Sequence, residues 1–242
     1  MKFGHFNDRG LPDNLSNLPA DKDLYSVNSY GYRCPEWDPM PDGKKNVVVL
    51  GCSHTFGQGN AEDEHWVHHV SQHNTQRLRY WNLGQPGASG DRIVRTLYGS
   101  EKIIDPRVII VCWPDWSRRE RLEEQTTNIP GSDETLRFEN NETDLNNFLR
   151  NVFFLEKYAE RKDCTTFHCF AQDSYYEHLH GLNVLQDTLK NCWPYFDNHH
   201  LPDANREFMN EVSLARDGYH CGIEHHKRFS QLFLDKFGPR LK

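Results

Sequence analysis

The chain has 242 residues, 36% hydrophobic and 12% aromatic, with 28 Lys and Arg against 35 Asp and Glu for a formal net charge of −7. That length holds one sizeable α/β core but not two comfortable domains, and the aromatic content argues for a folded chain rather than disorder. With no basic run and no periodic Lys/Arg face, nucleic acid is excluded as the main partner. The apolar runs fall far short of the ~20 residues of a bilayer span, so no membrane role is expected. Met1 to Asp8 contain no apolar h-region, and the seven cysteines (34, 52, 112, 164, 169, 192 and 221) include no Cys-x-x-Cys pair. A reduced, cytoplasmic setting is therefore expected.

Residues 1–45 carry Pro12, Pro19, Pro35, Pro39 and Pro41 and show no helical or strand period. Tyr25, Tyr30, Tyr32 and Trp37 give this stretch apolar surface, so it reads as an arm packed on a domain spanning 46–242. Val47 to Leu50 is a short β-branched run, as suits a strand buried on both faces of a parallel sheet. The spacing then predicts a helix over 62–76 with Trp66, Val67 and Val70 inward, and a strand over 78–83. Next come a helix over 91–104 with Ile93, Val94, Leu97 and Tyr98 on one face, and a strand over 108–113. Residues 117–140 are polar and read as a helical turn and a surface excursion. A helix over 143–162 shows Leu145, Phe148, Leu149, Val152, Phe153 and Leu155 at the 3.6 period, with Thr143 and Asp144 as caps. A strand over 164–170 and a helix over 175–191 follow. A last helix from Gly222 buries Ile223, His226, Phe229, Leu232, Phe233 and Phe237. Strands alternating with helices predict a three-layer α/β/α domain around a parallel, flavodoxin-like sheet.

Two stretches carry chemistry. Ser53 follows the first strand in Gly51-Cys52-Ser53-His54-Thr55, at the carboxyl edge where open α/β sheets place their sites. N–H groups at the start of the next helix can face a developing anion there; the plain alternative is a polar turn. Near the C-terminus, Asp217 and His220 stand three apart in Arg216-Asp217-Gly218-Tyr219-His220, before the last helix. The histidine suits a base and the carboxylate its orienter.

These residues resemble the SGNH (GDSL-type) hydrolase family over about residues 28–237. The Gly-Asp-Ser-x-Thr block is similar to Gly51-Cys52-Ser53-His54-Thr55, with Ser53 at the nucleophile position. Asn28-Ser29-Tyr30-Gly31-Tyr32-Arg33 is similar to an Asn-x-x-Gly-x-Arg lead-in. Asn82-Leu83-Gly84-Gln85-Pro86-Gly87 matches the second block, and Asp217 with His220 matches the last. The resemblance implies catalysis by Ser53, Asp217 and His220, with the Ser53 and Gly87 N–H groups as oxyanion hole. It implies no cofactor, and an ester substrate: a small molecule or carbohydrate with a short acyl group such as acetate. The same triad suits an O-acyltransferase.

The sequence departs from the pattern twice. Cys52 replaces the aspartate before the nucleophile. The Gly-x-Asn-Asp block after the third strand is Cys112-Trp113-Pro114-Asp115-Trp116, which lacks the asparagine donor. A carboxylate at Asp115 only accepts hydrogen bonds, so the Trp113 indole, Arg118 or Arg119 is left as a substitute donor. The alternative is a non-catalytic binding or particle-associated module. His54, Trp113, Asp115, Trp116 and Arg118 are the candidate substrate-binding residues; an aromatic lid with solvated arginines is the plain reading of the strand end. Asn60 and Gln58 with Arg118 give a polar lining compatible with a carbohydrate. His68-His69, His199-His200 and His225-His226 have no zinc-type spacing, and the glycines after the first strand lack a phosphate-loop Gly-Lys-Ser/Thr. No metal site is expected.

Overall fold

The computed structural model describes residues 24–37, 42–101, 103–121, 126–128, 141–171, 192–195 and 213–242. Its centre is strand β1 (Lys45–Gly51), whose Val47 to Leu50 side chains are fully buried. β1 pairs in parallel with β2 (Leu78–Asn82) on one side and β3 (Pro106–Trp113) on the other. β3 pairs with β6 (Thr165–Phe170), and β6 with β7 (Cys192–Tyr195), again in parallel. The order is β2-β1-β3-β6-β7, apart from a small antiparallel hairpin of β4 (Arg119–Arg121) and β5 (Thr126–Asn128). Without the hairpin this is the flavodoxin-like order 2-1-3-4-5.

The helices lie on the two faces of this sheet, and strand alternation shows which is which. After the short α1 (Ser53–Phe56), α2 (Trp66–Ser71) packs on the last helix, α5 (Ile223–Phe237), through Trp66 and Phe229. Phe167 of β6 meets Phe233 and Phe237 of α5 on that face. Its neighbour His168 points the other way and bonds Glu156 of α4 (Asn141–Lys162), which packs beside α3 (Gly90–Ser100). No helix among the described residues is long and apolar enough to cross a membrane.

Several expectations are corrected. α2 spans far less than 62–76, because Glu62 and Glu64 are used elsewhere: Glu62 pairs with Arg33, and the Glu64 carboxylate accepts the Ala61 N–H. Its N-cap is His65, which accepts the His68 N–H. α4 starts before Thr143, so Asp144 is not a cap but pairs with Arg119. The β4–β5 hairpin stands where a helical turn was expected. Tyr98, Phe153 and Leu232, expected inward, are exposed. β7 was not foreseen; its Pro194 is tolerated because β7 is an edge strand. The helix expected over 175–191 lies outside the described residues, as do residues 1–23 of the arm. Within 24–37, Tyr32 and Trp37 join the core and Tyr30 stacks on Trp37 at 4.7 Å.

Candidate active site

Ser53 opens α1 with Cys52 as its extended N-cap, and the Thr55 and Phe56 N–H groups both donate to the Cys52 carbonyl. Ser53 is buried apart from a small exposed fraction, 6%, and among the described residues its hydroxyl has no hydrogen-bond partner. Cys52 points the other way, into the core, which removes its thiol as a rival nucleophile. The far end of the turn is held by Arg33. Its guanidinium donates to the carbonyls of Phe56, Gly57 and Asn60 at 3.2, 3.0 and 3.0 Å, and to Glu62 at 3.0 Å. A fully buried arginine satisfied this way freezes the backbone it touches. The lead-in shapes its approach, since Asn28 Oδ1 accepts the Tyr30 and Tyr32 N–H groups.

The second loop is fastened to the same turn. Asn82 donates to the Thr55 carbonyl at 3.0 Å and accepts the Gly84 N–H at 3.0 Å, and Gln85 N–H donates to the Gly51 carbonyl. A Cβ on Gly84 would lie 2.4 Å from the Phe56 nitrogen, so only glycine allows this approach. Gly87, three residues on, is exposed at φ +69°, and its N–H has no acceptor among the described residues.

The third piece is the loop before α5. His220 Nδ1 and Asp217 Oδ2 are 2.6 Å apart, and Asp217 Oδ1 accepts the N–H groups of Tyr219 and His220, each at 3.0 Å. Burial pushes the Asp217 carboxyl up, but these donors and the imidazole outweigh it and hold it below the usual carboxylate range. The loop is bolted onto the residues after α1. Arg216 N–H donates to the Gly59 carbonyl, Arg216 pairs with Glu64, and Asn60 Nδ2 donates to the Cys221 carbonyl at 2.9 Å. A Cβ on Gly59 would fall 2.6 Å from Ala215 Cβ and 3.0 Å from Asp217 Cγ. Tyr25 of the arm accepts the Gly59 N–H at 2.9 Å. His220 thereby stands edge-on to His54, the residue after Ser53, with ring centroids 5.6 Å apart. Burial, the His220 charge and the Arg118 charge, in that order, push the His54 imidazole down to about 3, so it is neutral.

The third strand's exit is built differently. Trp113 is fully buried and donates its indole N–H to His168 Nδ1 at 2.9 Å; His168 Nε2 in turn bonds Glu156 at 2.6 Å. It is a core residue, and its expected place in the substrate pocket does not hold; nor is its N–H free for an oxyanion. The Asp115 carboxylate accepts the N–H and hydroxyl of Ser117, closing a turn. Trp116 is half-buried against the core. Arg119 is committed to Asp144 and the Thr143 carbonyl. Arg118 is half-buried, with no partner for its guanidinium among the described residues. Asn60 is a buried brace, not a lining residue, and Gln58 is half-buried. Among the described residues no three His, Cys, Asp or Glu side chains are grouped to hold a metal ion; His199 and His200 lie outside them. Sequence reasoning missed the bracing by Tyr25 and Glu64. Their partners lie 34 and 152 residues away, with no local signal.

A parallel sheet in this order, with helices on both faces, is a flavodoxin-like three-layer α/β/α fold. Solved structures of that class superpose on most of the chain. TesA does so at TM-score 0.55 and 13% identity, over 81% of this chain and 100% of that one. The psychrotrophic esterase EstA from Pseudoalteromonas sp. gives 0.55 and 12%, over 82% and 99%. A GDSL-like lipase from Bacteroides thetaiotaomicron gives 0.52 and 12%, over 84% and 92%. No protein-family model matches the chain, and no curated protein matches it in sequence. At these identities the likeness is one of fold.

Proposed function

We propose that the protein is a serine esterase that hydrolyses a short-chain ester, such as an O-acetyl group on a carbohydrate, through a covalent acyl-enzyme. The observation that carries this reading is the Asp217–His220 pair, closed at 2.6 Å and fastened to the turn that presents Ser53. In the reaction, Ser53 Oγ attacks the acyl carbon while His220 Nε2 takes its proton. Asp217 on Nδ1 fixes the tautomer that leaves Nε2 able to accept, and steadies the imidazolium. The Ser53 and Gly87 N–H groups receive the oxyanion. His220 then gives its proton to the leaving alkoxide, deprotonates a water and so resolves the acyl-enzyme; no cofactor enters. The Ser53–His220 hydrogen bond forms as substrate docks, a tightening common to such sites. Neutral His54 adds no second positive charge beside His220 as the imidazolium develops.

Without the asparagine donor, the rate falls on the order of 100- to 1000-fold below that of a complete oxyanion hole. One observation favours a second, non-catalytic binding reading: at the third strand's exit, the Asp115 carboxylate is engaged by Ser117 and offers no donor. An O-acyltransferase would use the same residues with a sugar hydroxyl in place of water. The test is hydrolysis of p-nitrophenyl acetate by wild type and Ser53→Ala, with fluorophosphonate labelling read by mass spectrometry. Label on Ser53 and a loss of at least about 1000-fold in Ser53→Ala are expected. Neither turnover nor label would leave the binding reading; turnover raised by added sugar, with acylated sugar formed, would identify the transferase.

A further inference from the structure

We infer that the substrate of this site carries a negative charge next to its ester bond, read by Arg118. The inference rests on the esterase reading above and narrows it to one class of ester, those with a carboxylate or similar anion on the acyl or the alcohol side.

The sheet register fixes the edge from which the Arg118 turn leaves. Gly51 of β1 is level with Cys112 of β3. Ser53, two residues beyond Gly51, and the turn beyond Cys112 therefore leave the same carboxyl edge on adjacent strands. That turn is closed by Asp115, whose carboxylate holds Ser117 and whose carbonyl accepts the Arg118 N–H at 3.1 Å. The Arg118 backbone is thus pinned, and its charge is felt at His54, the residue after Ser53, whose ring stands edge-on to His220.

The neighbouring arginines show what is unusual here. Arg92 and Arg95 both pair with the buried Glu120, and Arg119 pairs with Asp144. Arg118 alone of these four has no carboxylate or carbonyl partner among the described residues, although it is half-buried and the chain carries a surplus of acids. Withdrawing a guanidinium from water without a counter-ion is unfavourable. At the edge that presents Ser53, the ligand supplies the counter-ion that Arg118 lacks among the described residues. The oxyanion itself is a weaker candidate, because it exists only transiently and would leave Arg118 without a counter-ion while substrate is bound.

The test compares esters that differ only in charge: 4-acetoxybenzoate against its methyl ester for the alcohol side, and p-nitrophenyl hemiglutarate against its methyl ester for the acyl side. Wild type is expected to favour the anionic member of at least one pair by about tenfold in kcat/KM at low salt, with the preference shrinking as salt screens it. Arg118→Gln should bring that ratio to about one, Arg118→Glu should invert it, and Arg118→Lys should keep most of it, which guards against a mere folding defect. No preference in wild type overturns the inference and leaves the esterase reading standing. An equal loss on charged and neutral esters in Arg118→Gln also overturns it, since that marks an oxyanion or structural role. No turnover of any ester overturns the esterase reading and this inference together.

Discussion

The two strand exits that flank the site are held by different means. After β1, the chain from Ser53 to Asn60 is gripped from four directions: by Arg33 and Tyr25 of the arm, by Asn82 of the β2 loop, and by the 215–221 loop through Gly59 and Asn60. After β3, Trp113 sinks into the core, Asp115 and Ser117 close the turn from within, and distant side chains take hold only beyond Arg118, where Arg119 pairs with Asp144 and Glu120 with Arg92 and Arg95. In the proposed site, Ser53 and the Asp217–His220 pair come from two sequence-distant segments and must agree within a fraction of an ångström. Long-range buried hydrogen bonds supply that agreement. A residue that reads charge tolerates a looser mount, because Coulomb attraction falls off slowly with distance and angle. The contrast fits a site whose β1 side performs the chemistry and whose β3 side selects the substrate.

The strongest way to break this contrast is at the orienter. Asp217→Asn keeps the shape of the loop but offers His220 an amide, which favours the wrong tautomer; kcat is expected to drop about 10,000-fold. A loss below about tenfold would mean that Asp217 only shapes the loop. Next comes Arg33→Ala, which removes a fully buried cation and strands three carbonyls and Glu62. Glu62 is half exposed and water can solvate it, but leaving the buried carbonyls unpaired costs about 3 kcal/mol, hence a fall in Tm of about 6–12 °C for a chain of this size. The expected signature is a loss of kcat together with stability. If Tm falls and kcat per folded molecule does not, the brace stabilises the fold without positioning Ser53.

Much of this was legible in the sequence, for local reasons. Val47 to Leu50 and Val108 to Trp113 declare themselves as continuous apolar runs, because parallel strands bury both faces. Ser53, Asp217 and His220 stand out because each sits in a short, ordered motif at the end of a regular element. What stayed hidden is pairing over distance. Glu62 to Glu64 looked like a helix start because their partners, Arg33 and Arg216, lie 29 and 152 residues away. Trp113 looked like a pocket residue because strand ends line sites; its indole is buried since β6 brings His168 alongside. β7 was obscured by Pro194, which argues against a strand unless the strand is known to be an edge.

Acid should separate the two exits more gently. The histidines held down by burial lie around the β1 side: His54 at about 3, His65 and His225 at about 4, and His226 well below its ordinary value. All of these native values lie below the unfolded value near 6.5, so the unfolded chain binds protons first. Their contribution to stability is complete above pH 6.5 and is lost as pH falls towards 4 and 3. Tm should therefore decline steadily from pH 7 to pH 5. His65→Gln, which removes one such group, should flatten the decline; an unchanged slope would show that His65 is hydrated enough to titrate normally.

The smallest effect expected is also the most direct comparison of the two mounts. Asn60→Ala removes an amide that is buried and bonded across 161 residues to the Cys221 carbonyl, so a buried long-range hydrogen bond is lost. That costs on the order of 2 kcal/mol. Ser117→Ala removes a hydroxyl from a half-buried turn whose Asp115 carboxylate water can solvate; the cost should stay near 0.5–1 kcal/mol. Urea titrations of the two variants measure both costs on one scale. Equal costs would mean that the β3 turn is held as firmly as the β1 turn, and that Arg118 stands on a rigid mount like the rest of the site. In that case kcat of the Ser117→Ala variant on neutral esters should fall as well, because a rigid β3 turn would be part of the geometry around Ser53 and not only a carrier of charge beside it.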